Sequence, residues 1–242
     1  MKIVKNEIDS IVLNKTSIDI FDYEYLEDFK IFESNYLKEF SPKYVVCKIP
    51  SEQIENIHIL ENNGFNFIEF QLKARLVLED SYSTFAYFPY KFSQVGDKAE
   101  LEKVLDILRN SRIDNRFLVD PVIKNELSQK RYEILVKKSF ENEAEFLYKL
   151  YNSQTNEIIG FKTFKIINKN EAQLFLGAVL KKYESSSYSD INNIYLFNEL
   201  QNLGLNSIFT NISGRSYKEI NQGIKGFKYE VQQTYLVLRK IY

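Results

Sequence analysis

Residues 171–204 read EAQLFLGAVLKKYESSSYSDINNIYLFNELQNLG. Residues 171–180 have the composition of a buried strand. A polar loop of small residues follows, then an amphipathic helical pattern that Gly204 closes. A strand that feeds such a loop onto a helix N-terminus constrains the chain strongly. Backbone N–H groups converge there and the helix dipole favours negative charge, which is a recipe for holding phosphate. Here the loop is rich in serine instead of glycine.

Composition narrows what surrounds this stretch. With 242 residues, 44% hydrophobic and 15% aromatic, the chain has material for one large domain or two small ones and a sizeable core. A formal net charge of -1 gives no basic excess of the kind that draws nucleic acid. Cys47 is the only cysteine, so no internal disulfide forms, and its place in an apolar run marks a core residue. His58 is the only histidine, which excludes a multi-histidine metal site; it is expected to be partly buried, and no metal is expected. No apolar run approaches a membrane span, and the first residues lack the apolar core of a secretory signal, so a cytoplasmic protein is expected.

Along the chain, residues 1–40 begin with an alternating segment at Ile8, Ile11 and Leu13 and end in a helix before Pro42. YVVCKI at 44–49 has strand length, and Ser51 is the expected cap of a helix running to Gly64. Residues 65–79 form a long strand and 80–97 a connector. Residues 98–110 and 124–139 are helices, with SRIDNRF between them. Three strands at 145–151, 158–167 and 171–180, joined by short polar turns, form an antiparallel meander. A strand at 207–212, a helix with a Ser216/Glu219 capping box and a final strand at 227–239 complete the chain. Residues 44–78 and 207–239 share one order: strand, helix, Gly-Phe, long strand. That pattern suggests a duplicated half-domain, with ligand chemistry in the second copy because only it follows the meander and loop.

The order of meander, Gly177-Ala178-Val179, polar loop, helix, strand, helix, Gly226-Phe227 and strand resembles the GNAT N-acetyltransferases. The whole chain is similar to their dTDP-fucosamine acetyltransferase branch, which carries a degenerate N-terminal half. The resemblance implies an α+β fold with a mixed, mostly antiparallel central sheet flanked by helices. It implies a truncated N-terminal GNAT-like half over residues 1–90 and an acyl-CoA-binding domain over 91–242. It further implies an N-acetyltransferase using acetyl-CoA or another acyl-CoA on a small amine, with a nucleotide-linked amino sugar as the acceptor class and surface polysaccharide as its destination.

The resemblance also implies site residues. The cofactor would lie along Val179 and the loop, in a register using Lys182, Ser185 and Ser187 or one using Glu184, Ser187 and Ser189; the first keeps a cation near the diphosphate. Ser216 falls near the family's cofactor-contacting Asn. Tyr235, four residues before Arg239 in the closing strand, would protonate the leaving thiolate. Arg112 and Arg116 would clamp a diphosphate-bearing acceptor, or else pair with Asp114 and Asp120. Two other readings stay open: a GNAT scaffold that has lost its cofactor loop and serves as a binding module, and aminoacyl transfer from charged tRNA, which the low net charge opposes. A homodimer is left open, and neither nucleic acid nor membrane is expected as a partner.

Overall fold

The structure is a computed structural model that describes residues 2–21, 28–79, 82, 88–111, 116–184 and 187–242. The first half lays down β1 (Lys2–Lys5), α1 (Glu7–Leu13), β2 (Ser17–Phe21), α2 (Phe29–Phe40), β3 (Tyr44–Pro50), α3 (Ile54–Asn62) and β4 (Asn66–Val77). The second adds β5 (Tyr90–Gln94), α4 (Lys98–Asn110), α5 (Arg116–Val119), α6 (Asn125–Glu141), β6 (Glu145–Asn152), β7 (Ile158–Asn168) and β8 (Glu171–Val179). It closes with α7 (Tyr188–Asn202), β9 (Ser207–Ser213), α8 (Tyr217–Asn221) and β10 (Glu230–Ile241).

The ten strands among the described residues join one sheet, in the order β1-β2-β3-β10-β4-β9-β8-β7-β6-β5. The order carries a pseudo-twofold relation. On one side β1 pairs antiparallel with β2, β2 parallel with β3, and β3 antiparallel with β10. On the other side β7, β8, β9 and β4 repeat those relations in that order. The two long strands pair antiparallel at the centre, with Tyr235 opposite Gln71. Each half therefore sends its last strand to lie beside the other half's short strand. The order strand, helix, long strand recurs in β3–α3–β4 and β9–α8–β10, and the matching strand pairings reach back to β1 and β7.

Helices cover both faces. Packed around α2 and α3 are Ile18, Ile20, Cys47, Ile49 and Leu238, while α7 contributes Leu196, Phe197 and Leu200 beside Ala74, Leu76 and Phe164 on the same face. On the opposite face α4 and α6 bury Val104, Leu105 and Val136 against Leu147 and Phe161, and Phe117 of α5 packs on Val46 and Val237. Strand residues alternate between these faces, as a sheet buried on both sides requires. α4 starts from Asp97, whose carboxylate accepts the Glu100 N–H at 2.8 Å, while Glu100 Oε2 accepts the Gly96 N–H at 2.8 Å; this closed cap is worth about 1 kcal/mol.

Several expectations need correction. The alternating segment at Ile8–Leu13 is helix α1, because Asn6 caps it and Asp9 is drawn inside by arginines. The connector at 80–97 contains β5, whose polar alternation suits the outermost strand of the sheet. Ser51 does not cap α3; its hydroxyl is held by the Thr234 hydroxyl, and the cap falls at Gln53. Ser216 makes no side-chain cap on α8. His58 is exposed, since it lies beside the buried stripe of α3 and not on it. Cys47 is fully buried, and burial pushes its thiol far up, which leaves it inert. Among the described residues no helix is long and apolar enough to cross a membrane, and no cluster of metal-ligating side chains forms.

Candidate functional site

Strands β8 and β9 pair in parallel from Glu171/Ser207 to Leu174/Thr210 and then part. β8 runs on to Val179 beside β7, with Val179 opposite Gly160, while β9 runs on to Ser213 beside β4, with Ser213 opposite Gln71. The cause is local. Thr163 faces Leu176 and Phe164 faces Leu174, so Phe175 is an extra residue that bulges β8 at the point of divergence. Beyond the bulge, the β8 edge that faced β9 has no strand partner, so it can take backbone hydrogen bonds from a ligand. In the first half, by contrast, β2 pairs with β3 along its whole length, from Ser17/Tyr44 to Phe21/Lys48. Over the described residues, the gap belongs to the second half.

The gap opens into a cavity on each side of the sheet. On the α7 and α8 side a cavity of about 150 Å³ is lined by Lys162, Gly177, Ser189, Glu219 and Gln222, among others. On the α6 side a cavity of about 310 Å³ is lined by Arg131, Tyr132, Thr163, Lys165 and Gln173. Leu174, Phe175, Leu176 and Asn211 line both, so the two cavities meet through the gap. A third hollow continues the first between α7 and α8, past Asp190 and Lys218. Two reactants can thus approach one point from opposite faces.

The polar groups are unevenly placed. The Lys162 side chain crosses Gly177, where a Cβ would sit 3.0 Å from Nζ. Burial pulls its ammonium down to about 8, with Glu219 pulling the other way. Asn192 is buried and donates to the Phe161 carbonyl at 3.1 Å, and among the described residues its own Oδ1 has no partner. After α8 the chain makes a π turn at Gln222–Gly226, which turns Gln222 toward the cavity. Gln222 Nε2 donates to Ser189 Oγ at 3.1 Å and to Asp190, linking α8 to the first turn of α7. Lys218 donates to the Glu184 carbonyl across the same groove. On the α6 side, Lys48 Nζ donates to Asn211 Oδ1 at 2.9 Å and lies 4.3 Å above the Tyr235 ring. Burial also brings Lys48 to about 8, Glu69 opposing and Lys73 assisting.

Of the site residues expected from sequence, Ser189 lines the cavity. Val179 is buried at the end of β8, and Ser187 caps α7 without a side-chain hydrogen bond. This differs from α2, whose Asp28 carboxylate accepts the Lys30 and Ile31 N–H groups and closes the helix start. Tyr188 anchors α7 by stacking on Tyr183 at 4.2 Å, and its hydroxyl meets that of Tyr90 at 2.6 Å. Lys182 turns outward to Glu157 at 2.7 Å. Ser216 is buried outside the cavity walls. Tyr235 is two strands from β9, on the α6 side of the sheet beneath Lys48. Arg116 binds Asp9 and lies 3.6 Å from Asp19, away from both cavities. Arg112 and Ser185 lie outside the described residues. Sequence reasoning missed Lys162, Gln222, Lys48 and Asn211. Lys162 left one trace, a lysine within the buried run IIGFKTF.

An unpaired β8 edge, a glycine and a cavity on each face lie together, an arrangement that would suit the thioester end of an acyl-CoA. The diphosphate end would meet the start of α7, where Asp190 places a carboxylate in the first turn.

Solved structures share this architecture. A GCN5-related N-acetyltransferase from Sphaerobacter thermophilus superposes with a TM-score of 0.66 at 8% identity, over 99% of this chain and 75% of that one. A tandem GNAT protein from the clavulanic acid biosynthesis pathway gives 0.60 at 7% identity, over 93% and 75%. A GCN5-related N-acetyltransferase from Kribbella flavida gives 0.57 at 9% identity, over 93% and 81%. No protein-family model matches the chain, and no curated protein matches it in sequence. The fold is thus the α+β, mixed-sheet fold of GNAT structures, including a tandem one.

Proposed function

We propose that the protein is an acyl-CoA-dependent N-acyltransferase. The observation that carries this reading is the gap between β8 and β9, bulged at Phe175, with a cavity on each face and four residues common to both. Acyl-CoA supplies an activated acyl group as a thioester. The chain's part is to hold it along the β8 edge, lead the amine in from the α6 side and exclude water. The resemblance and the chain's placement of cations support an anionic amine acceptor, with the nucleotide-linked amino sugar of the dTDP-fucosamine branch as its leading class. Lys48, Lys73 and Lys165 stand along that face, Lys73 over Phe209 at 4.9 Å and Lys165 over Phe175 at 5.2 Å. In this reading Tyr235 belongs to the acceptor groove, joined to Asn211 through Lys48. Residues 91–242 carry the acyl-CoA site, with Val179, Ser187 and Ser189 at its entrance, and residues 1–90 supply the strands that complete it.

A second reading has its own support. Gln222 bridges to Asp190, Lys218 to Glu184 and Lys182 to Glu157, and these contacts occupy the groups a diphosphate needs. That closure favours a scaffold that binds another partner. One assay separates the two. Thiol release from acetyl-CoA, measured against amino sugars and their nucleotide conjugates, is expected to rise with a charged acceptor. No release with any amine, together with no acetyl-CoA binding at millimolar concentration, supports the scaffold.

A further inference from the structure

Lys162 is the group that the acyltransferase reading leaves without a task. It stands in the middle of β7 opposite Gly177, on the wall of the cavity. Because Gly177 has no side chain, the lysine lies flat across β8 with its Nζ in the cavity. Among the described residues its ammonium makes no hydrogen bond or ion pair. Among the described residues Glu219 is the other charged side chain lining that cavity, and it acts on Lys162 through space. Lys162 is half-buried by surface area, yet the surrounding protein desolvates its ammonium; holding a desolvated cation costs folding free energy, and proteins keep such groups where chemistry uses them.

We propose that Lys162 is an acyl acceptor and that the protein acylates itself there from acyl-CoA. This inference rests on the acyltransferase reading and adds a modification site to it. The Lys162 Nζ lone pair attacks the thioester carbonyl carbon. The C–N bond forms, the C–S bond breaks, and the proton lost from Nζ ends on the departing sulfur. The products are an N6-acyl-lysine and free CoA thiol, so no further reactant is needed. Burial favours the reaction because it raises the neutral fraction. At neutral pH an amine near 8 is neutral on the order of a hundredfold more often than an ordinary lysine. The acylated side chain has no charge and fills space in a cavity of about 150 Å³, so the modification closes the site to the next acyl-CoA. Self-acylation is thus self-limiting and ties activity to acyl-CoA supply.

The test uses the full chain with acetyl-CoA, read by intact mass and peptide mapping, beside calorimetric binding of acetyl-CoA on the same sample. The expected result is one acetyl group per chain, on Lys162, formed at a rate that rises with pH and levels off near 8. Surface lysines would keep gaining reactivity to higher pH. Lys162→Arg keeps a cation in the cavity and is expected to lose the modification while remaining folded. Should acetyl-CoA bind while Lys162 stays unmodified, or react no faster than surface lysines, self-acylation is overturned and the acyltransferase reading stands. If acetyl-CoA does not bind at all, both are overturned.

Discussion

At the scale of single residues, one desolvated cation and one buried carboxylate set testable stability terms. Lys162 is held down to about 8 by burial, against an ordinary lysine value of 10.5 in the unfolded chain. Between those values the unfolded state binds more protons, so stability rises with pH across that window; below about 8 the full cost is present. Lys162→Met is therefore expected to stabilise the fold at pH 7 by about 1–3 kcal/mol, with the gain shrinking toward pH 10. Urea denaturation at both pH values measures this. Asp9 has the opposite sense. Burial pushes its carboxyl up, but Arg116 and Arg131, the latter at 2.6 Å, more than offset that and hold it below the ordinary value. Its contribution is present above the ordinary carboxylate range and is lost as pH falls through the lowered folded value. Asp9→Ala leaves two guanidiniums facing a void, and a loss of about 3–5 kcal/mol at pH 7 is expected, read as a lower urea midpoint. Neither role was legible in sequence. Asp9 sits in a segment read only as alternating, and its arginines lie more than a hundred residues away.

At the scale of elements, the site depends on how β7 and β8 pair beyond the Phe175 bulge. A Cβ at Gly160 would lie 3.0 Å from the Ala178 carbonyl and 3.1 Å from both Asn192 Nδ2 and Val179 Cγ1. The carbonyl cannot yield without moving β8. Gly160→Ala is thus expected to destabilise by about 1–3 kcal/mol and to disturb the Asn192 bond to Phe161, which denaturant titration and amide exchange at residues 159–162 would report. The strands of the meander were legible because alternation, polar turns and length agreed, and the helix α4 because its apolar stripe is clean, with Leu101, Val104, Leu105 and Leu108 buried. β5 was not, because an edge strand is polar and short. The bulge was invisible for a physical reason: it is defined by pairing to β7, and nothing in LFLGAV marks which residue is the extra one.

At the scale of the molecule, the exchange of β4 and β10 makes the halves interdependent. β4 lies between β9 and β10, so residues 91–242 alone would lose the strand that pairs with both. That fragment is expected to be unfolded or aggregated by circular dichroism and gel filtration. Adding residues 1–90 in trans is expected to recover a folded 1:1 complex. A monomeric, fully folded 91–242 fragment would contradict the pairing. The repeat was visible in sequence as two copies of strand, helix, Gly-Phe and long strand. The exchange was not, because both long strands carry the same alternation and local pattern does not say which neighbour each one takes. The same holds for Tyr235: its place in the closing strand was legible, but its distance from the gap follows from the strand order.

The central claim is that the divergence of β8 from β9 holds an acyl-CoA. It is tested most directly by calorimetric titration of acetyl-CoA into the full chain and into Gly177→Val. That substitution pushes the flexible end of Lys162 aside and narrows the gap while leaving the sheet paired. The account predicts saturable binding to the native chain and binding weakened about tenfold or more, near 1.4 kcal/mol, in the variant. Absence of binding at millimolar acetyl-CoA, or equal affinity in both proteins, would contradict it.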